Sequence, residues 1–178
     1  MREWNIIVTT LPGRECELLP VLNRLGEFTR SEFKGILVGW VGDMTQFLED
    51  ILHAGEDPLA WRQHLLRVLP VERVFSFTPP TFEERLREAV APLVQRMVGG
   101  TFYVRLERRG YKGAILSPEV ERRLGDYVMQ LAAQQGMALR VSFQDADYVI
   151  VAETVGNRCG VALITRQLHT RYPFVKVR

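Results

Sequence analysis

The chain has 178 residues, of which 47% are hydrophobic and 25% charged, with a net charge of +2 and a pI near 8.7. These values exclude a disordered or fibrous protein and admit one large or two small domains. The longest apolar runs, such as 36–41 and 148–152, fall far short of the roughly 20 residues that cross a bilayer, and the N-terminus has no signal-peptide pattern, so a cytoplasmic location is expected.

The first run with a strand signature is 4–10, ended by the turn residues Leu11-Pro12-Gly13. Leu18, Leu22 and Leu25 then recur at helical spacing up to Gly26, with Pro20 limiting where that helix starts. A second strand is predicted over 33–41. Asp43 follows as an N-cap, with Phe47, Leu48, Ile51 and Leu52 on one helical face. Asp57-Pro58 opens a further predicted helix over 57–69, carrying Leu59, Leu65, Leu66 and Leu69 and stopped by Pro70. Residues 71–78 alternate as a strand does. Thr81-Phe82-Glu83-Glu84 has the form of a capping box, and Phe82, Leu86, Val90, Leu93 and Met97 make the apolar stripe of a helix over 80–98, with a local distortion expected at Pro92.

Gly99-Gly100 is the clearest break. Beyond it the pattern predicts a strand over 101–107, a charged loop over 108–116 and a helix opened by Ser117-Pro118-Glu119 and closed by Gly136. Strands over 138–143, 147–154 and 159–165 follow, then a short helix over 166–171 before Pro173. The second half thus reads β-α-β-β-β-α and the first roughly β-α-β-α-α-β-α. The fold class is α/β, of the α+β kind.

Charge is unevenly spread along this plan. Residues 1–98 hold 11 Lys and Arg against 14 Asp and Glu, a net of −3, while residues 99–178 hold the other 12 against 7, a net of +5. Such asymmetry marks either a polyanion-binding module or a solvated basic surface, and composition leaves both open.

Chemistry of other kinds finds little support. Cys16 and Cys159 are far apart and form no C-x-x-C pair, and His53, His64 and His169 are not spaced as metal ligands, so neither a disulfide framework nor a metal site is suggested. There is no nucleophile elbow, Walker loop or dinucleotide fingerprint, and no cofactor is implied. Leu11-Pro12-Gly13-Arg14 reads as a plain turn before it reads as an anion site. The paired acids Glu49-Asp50 and Glu83-Glu84 are neighbours on helices and do not face each other. No catalytic constellation emerges, and the chain is read as a non-catalytic module.

Two cationic clusters remain. Arg105, Arg108, Arg109 and Lys112, with Tyr111 among them and Gly113 after them, fall at a strand end and its loop, where guanidinium groups suit phosphate oxygens and Tyr111 suits stacking. Arg166, Arg171 and Lys176, with His169, Tyr172 and Phe174 interleaved, lie near the C-terminus. Solvated charged edges are the alternative reading of both.

The run Thr101-Phe-Tyr-Val-Arg-Leu-Glu-Arg-Arg-Gly-Tyr-Lys-Gly, then Ser117-Pro-Glu-Val-Glu-Arg-Arg-Leu-Gly-Asp, then Asp147-Tyr-Val-Ile-Val-Ala-Glu resembles the successive motifs of THUMP domains. The ending, Gly160-Val-Ala-Leu-Ile-Thr-Arg-Gln-Leu and Tyr172-Pro-Phe-Val-Lys-Val, looks most like stand-alone THUMP proteins related to the adaptor of tRNA cytidine acetyltransferase. The resemblance implies a ferredoxin-like N-terminal domain over 1–75 and a THUMP domain over 76–178, with the helix over 80–98 packing with either. It implies recognition of tRNA or another structured RNA, at the acceptor stem and 3′ end, through Arg105, Arg108, Arg109 and Lys112 first and Arg166, Arg171 and Lys176 second. The partner it implies is a tRNA-modifying enzyme acting in trans; no membrane or DNA partner is expected. Gly125 and Gly156 resemble the family's packing and turn glycines. A ferredoxin-like protein-interaction or regulatory module without RNA binding stays open as the alternative, as does an enzyme acting on a small substrate.

Overall fold

A computed structural model describes residues 3–54 and 61–178. They form two units, Met1–Val71 with His169–Lys176, and Glu72–Leu168 with Val177–Arg178.

In the first unit the order is β1 (Ile6–Thr10), α1 (Glu15–Leu22), β2 (Glu27–Arg30), β3 (Ile36–Trp40), α2 (Met44–Ala54) and β4 (Leu65–Pro70). The strands make one antiparallel sheet in the order β2-β3-β1-β4. This β-α-β-β-α-β arrangement is the ferredoxin-like split βαβ. Every residue of β1 is buried, as its place inside the sheet requires. The Gln46 amide donates to the Asp43 carboxylate at 2.9 Å, so Asp43 caps α2 as its sequence position predicts. Gly39 is required by a close approach. It stands opposite Phe28, and a Cβ there would sit 2.3 Å from the Phe28 ring, which stacks on Phe47 at 5.6 Å.

Two elements differ from the sequence pattern. Residues 57–60 of the helix predicted over 57–69 lie outside the described residues, and its remainder is a 3-10 turn, Trp61–His64, followed by β4. A short continuous apolar run reads alike as helix or buried strand, and pairing with β1 through Ile7↔Leu69 and Val8↔Val68 decides it. β2 has no counterpart in the prediction. Only Phe28 of its four residues is buried, too short a signal for a period of two.

The second unit runs β5 (Arg73–Ser76), α3 (Phe82–Val94), β6 (Gly100–Glu107), α4 (Ser117–Gln134), β7 (Leu139–Val141), β8 (Tyr148–Val155), β9 (Arg158–Thr165) and α5 (Arg166–Arg171), the last continuing into the first unit. Its sheet has the order β5-β9-β8-β6-β7, with β6 parallel to β7 and β8, and β9 antiparallel to β8 and β5. The core lies on one face. Phe102, Val104 and Leu106 of β6 and Ile150 and Ala152 of β8 meet Phe82, Leu86, Val90 and Leu93 of α3 and Val120, Leu124, Val128 and Ala132 of α4. Each such Val, Leu, Ile or Phe side chain contributes roughly 1.5–3 kcal/mol by leaving water. α3 runs through Pro92, and the helix predicted over 80–98 packs within this unit. The Thr81 hydroxyl does not cap α3 but bonds Thr78 in a 3-10 turn just before it.

The sequence reading gives all of 76–178 to one domain, whereas His169–Lys176 packs with the first unit. The edge of β4 is the reason: the Val68 amide donates to the Phe174 carbonyl at 3.0 Å and Arg67 Nε donates to the Lys176 carbonyl at 2.7 Å. No described helix is long and apolar enough to cross a membrane.

Candidate nucleic-acid interface

The loop after β6 is held from beneath. Tyr111 adopts φ 52°, a left-handed conformation uncommon for a side-chain-bearing residue, between Gly110 at φ 86° and Gly113 at φ 85°. Its carbonyl accepts from the Ala114 and Ile115 amides at 3.1 Å, and its ring packs 5.3 Å from Phe77. Tyr111 is therefore committed to the core rather than offered for stacking.

Arg109 anchors the root of this loop. Its side chain is only 10% exposed and pairs with the fully buried Glu153, while Glu107 lies 3.9 Å from its far nitrogen. The Arg109 amide donates to the Thr154 hydroxyl at 2.7 Å, and that hydroxyl donates back to the Arg109 carbonyl at 3.0 Å. Its neighbours are not paired in this way. Arg108 folds onto the Gly110 carbonyl, and Lys112 is exposed and makes no ion pair with a described residue. Arg105 projects from the strand itself, 3.8 Å from Glu121 and 5.7 Å over the Tyr103 ring; its Nε is buried without a hydrogen-bond partner among the described residues.

Arg166 of the second cluster stands apart from the first. Arg166 follows β9 and pairs with Asp145 and with Asp147 at 3.1 Å. Thr165 stands opposite Tyr148, and Tyr148 opposite Phe102, so Arg166 lies at the end of the sheet where β6 begins. From Phe102 to Glu107 the strand covers roughly 17 Å at about 3.3 Å per residue, which separates Arg166 from the 108–113 loop. Arg171 and Lys176 belong to the first unit. There Arg171 grips both oxygens of Glu49 at 2.9 Å, and the Tyr172 hydroxyl donates to the same carboxylate at 2.7 Å, which lowers the Glu49 pKa. Lys176 is exposed.

A carboxylate knot closes the β6 start of the sheet. Asp147 accepts from the Thr101 amide at 2.9 Å, from the Thr101 hydroxyl at 3.1 Å and from Arg166, and these bonds hold its pKa below the ordinary aspartate value. The Cys159 thiol is wholly buried, and desolvation pushes its pKa up, so it stays protonated. Among the described residues no group of His, Cys, Asp and Glu could hold a metal.

Sequence reasoning missed a pocket on this unit, between β6, β7 and α4, lined in part by Gly125 and Phe143. Gly125 is not a packing glycine: a Cβ there meets nothing within 4 Å. Gly156, at φ 61° between β8 and β9, does occupy a turn. The available signals were a glycine amid good helix formers and an aromatic residue set in the polar stretch 142–147.

Together these features define an α+β protein with a ferredoxin-like unit and a second, mixed-sheet unit bearing a cationic loop. Residues 80–163, all in the second unit, match the model of the THUMP domain, and the chain therefore carries a THUMP domain there. THUMP domains bind RNA and are linked to tRNA modification, and the domain alone is not catalytic. Among solved structures, PH1313 from Pyrococcus horikoshii shares the fold with a TM-score of 0.63 at 11% identity, over 90% of this chain and 54% of that one. TrmN from Thermus thermophilus gives 0.59 at 21% identity, over 89% and 44%. A 4-thiouridine synthetase in complex with RNA and ATP gives 0.60 at 13%, over 91% and 41%. The chain thus spans about half or less of each of these structures. No curated protein matches the sequence significantly.

Proposed function

We propose that the chain recognises tRNA, at the acceptor stem and 3′ end, and presents it to a tRNA-modifying enzyme acting in trans. The observation that carries this reading is the loop after β6, where Arg109 fixes the backbone, Lys112 is exposed and half-buried Arg108 makes no ion pair with a described residue. A-form RNA hides its base edges in a deep, narrow groove, so a stem is read through phosphates, 2′-hydroxyls and shape, which cations on a rigid scaffold suit. Arg105 and Arg166 on the same unit, and Arg171 and Lys176 on the first, are further phosphate partners. The solved likeness to a synthetase–RNA complex supports RNA as the ligand. That a THUMP domain is not itself catalytic supports the chemistry being supplied by another domain or protein.

Filter binding of tRNA across a salt series tests the interface. The parent chain should lose affinity steeply with salt, and Arg108→Glu with Lys112→Glu should weaken binding by at least about tenfold and flatten the log–log slope by about 2. An affinity indifferent to salt, or a double variant that binds as the parent does, counts against it. The trans role has its own readout. tRNA from cells lacking the chain should lose one modified nucleoside, restored by the parent and not by the double variant.

The alternative, a protein-interaction module with a merely solvated basic surface, draws support from the ion pairs of Arg109, Arg166 and Arg171. The same titration separates the two.

A further inference from the structure

The sheet of the second unit ends at β7, and the pocket between β6, β7 and α4 opens beside that edge. Three observations there point to one kind of partner.

The first is open backbone. The Ala138 carbonyl accepts from the Gly100 amide at 3.0 Å, and the Ser142 amide donates to the Phe102 carbonyl at 2.9 Å. Residues 138 and 142 thus turn their backbone groups toward β6, and so does Arg140 between them. Strand parity turns the N–H and C=O of Leu139 and Val141 the other way, off the edge of the sheet. Such a row is a template for another strand.

The second is apolar surface left in water. Val141 is 49% exposed and Phe143 71%, and both line the pocket together with Gly125 of α4. Met129, one turn further along the helix, is exposed as well. Glycine weakens a helix interior, yet Gly125 has no positive φ, and a Cβ added there meets nothing within 4 Å. The close approach that this glycine permits is therefore to something outside the chain.

The third is charge. Arg122 and Asp126 lie four residues apart on the same wall of the pocket, both exposed and neither in an ion pair with a described residue. A patch that offers one unmatched charge of each sign is complementary to itself after half a turn. A two-fold axis at the midpoint of the two residues, beside Gly125, brings each Arg122 level with Asp126 of the other copy and leaves like charges about 6 Å apart along the helix.

We propose that the chain forms a two-fold dimer through this edge: β7 pairs antiparallel with β7 of a second copy, and α4 packs against α4 of that copy across Gly125. The two sheets become one. Val141 lies at the axis, and Phe143 of each copy covers Leu139 and Met129 of the other. Helices carried on adjoining edge strands meet at about 8–10 Å, a spacing that a glycine at the crossing suits. The rival occupant, an extended segment of another protein, would take the same backbone groups but leaves the matched pair Arg122 and Asp126 without a purpose. The dimer is independent of RNA binding, for the 108–113 loop takes no part in the patch.

Sedimentation velocity of the full chain, freed of nucleic acid, over a concentration series reads the assembly. The parent should pass from monomer to dimer as concentration rises. Phe143→Ala, at an exposed site, should weaken association by at least about tenfold with the thermal melt unchanged. The charge variants separate a second copy from any other occupant. Arg122→Asp leaves two acids on the patch and Asp126→Arg leaves two cations, so each variant alone should stay monomeric. An equimolar mixture of the two should dimerise as the parent does, a rescue that a structural defect in either variant would not allow. A parent that stays monomeric at every concentration, or a mixture that does not associate, overturns the dimer. A parent dimer that Phe143→Ala leaves intact overturns this edge as its interface. A monomeric parent that carries another protein through purification, lost from Phe143→Ala, makes the edge a site for that protein and overturns the proposal as well.

Discussion

Arg109 sits in sequence among Arg108, Tyr111 and Lys112, yet its environment separates it from both cations. Removing its side chain would leave Glu153 buried beside a lost partner, and breaking a buried ion pair from one side is among the costlier single changes. Arg109→Ala should therefore lower stability by on the order of 3 kcal/mol in urea unfolding, while the folded fraction keeps the parent's salt slope for RNA. Lys112→Ala should do the reverse, leaving the urea midpoint in place and reducing the slope by about 1. A midpoint unmoved by Arg109→Ala would show that Glu153 finds its compensation elsewhere. The basic loop was legible in the sequence as a run of cations after a strand. Which of them turns inward was not, because that depends on Glu153 and Thr154, whose approach to the loop is fixed by sheet pairing and not by local pattern.

At the scale of elements, Asp147 ties the start of β6 to the start of β8 and, through Arg166, to the start of α5. Its folded pKa is depressed, so its contribution to stability is complete above the ordinary aspartate value of 3.8 and is lost as pH falls through the folded value. Asp147→Asn should be less stable than the parent at neutral pH, with the gap closing on acidification below pH 3.8; a gap constant down to low pH would remove the carboxylate from the account. The same scale explains what the sequence could disclose. α4 announces itself because Val120, Leu124, Val128 and Leu131 recur at helical spacing, although Ala132 and not Leu131 completes the buried face. β4 does not, because Leu65, Leu66 and Leu69 suit a helix equally well and only β1 settles the matter. The pocket was invisible for a related reason: its walls come from β6, α4 and the end of β7, and no single stretch of sequence contains its shape.

Across the whole molecule, the cations read from the sequence are shared between two units and, within the second, between two ends of one sheet. RNA contact through the 108–113 loop alone would give a shallow salt slope, and a slope well beyond that removed by Arg108→Glu with Lys112→Glu would show that the remaining cations also reach phosphate. The chain's connectivity adds a constraint on synthesis. β4 pairs on one side with β1 and on the other receives residues 169–176, while Glu72–Leu168 of the second unit are encoded between them. A ribosome adding about 5–20 residues per second would hold the first unit unfinished for roughly 5–20 s after Val71, although its strands are made first. All of the second unit but Val177–Arg178 is made earlier. Deleting 169–176 should accordingly raise amide exchange across β4 and leave the β6–β8 amides protected, so the unit begun second is the one that matures first.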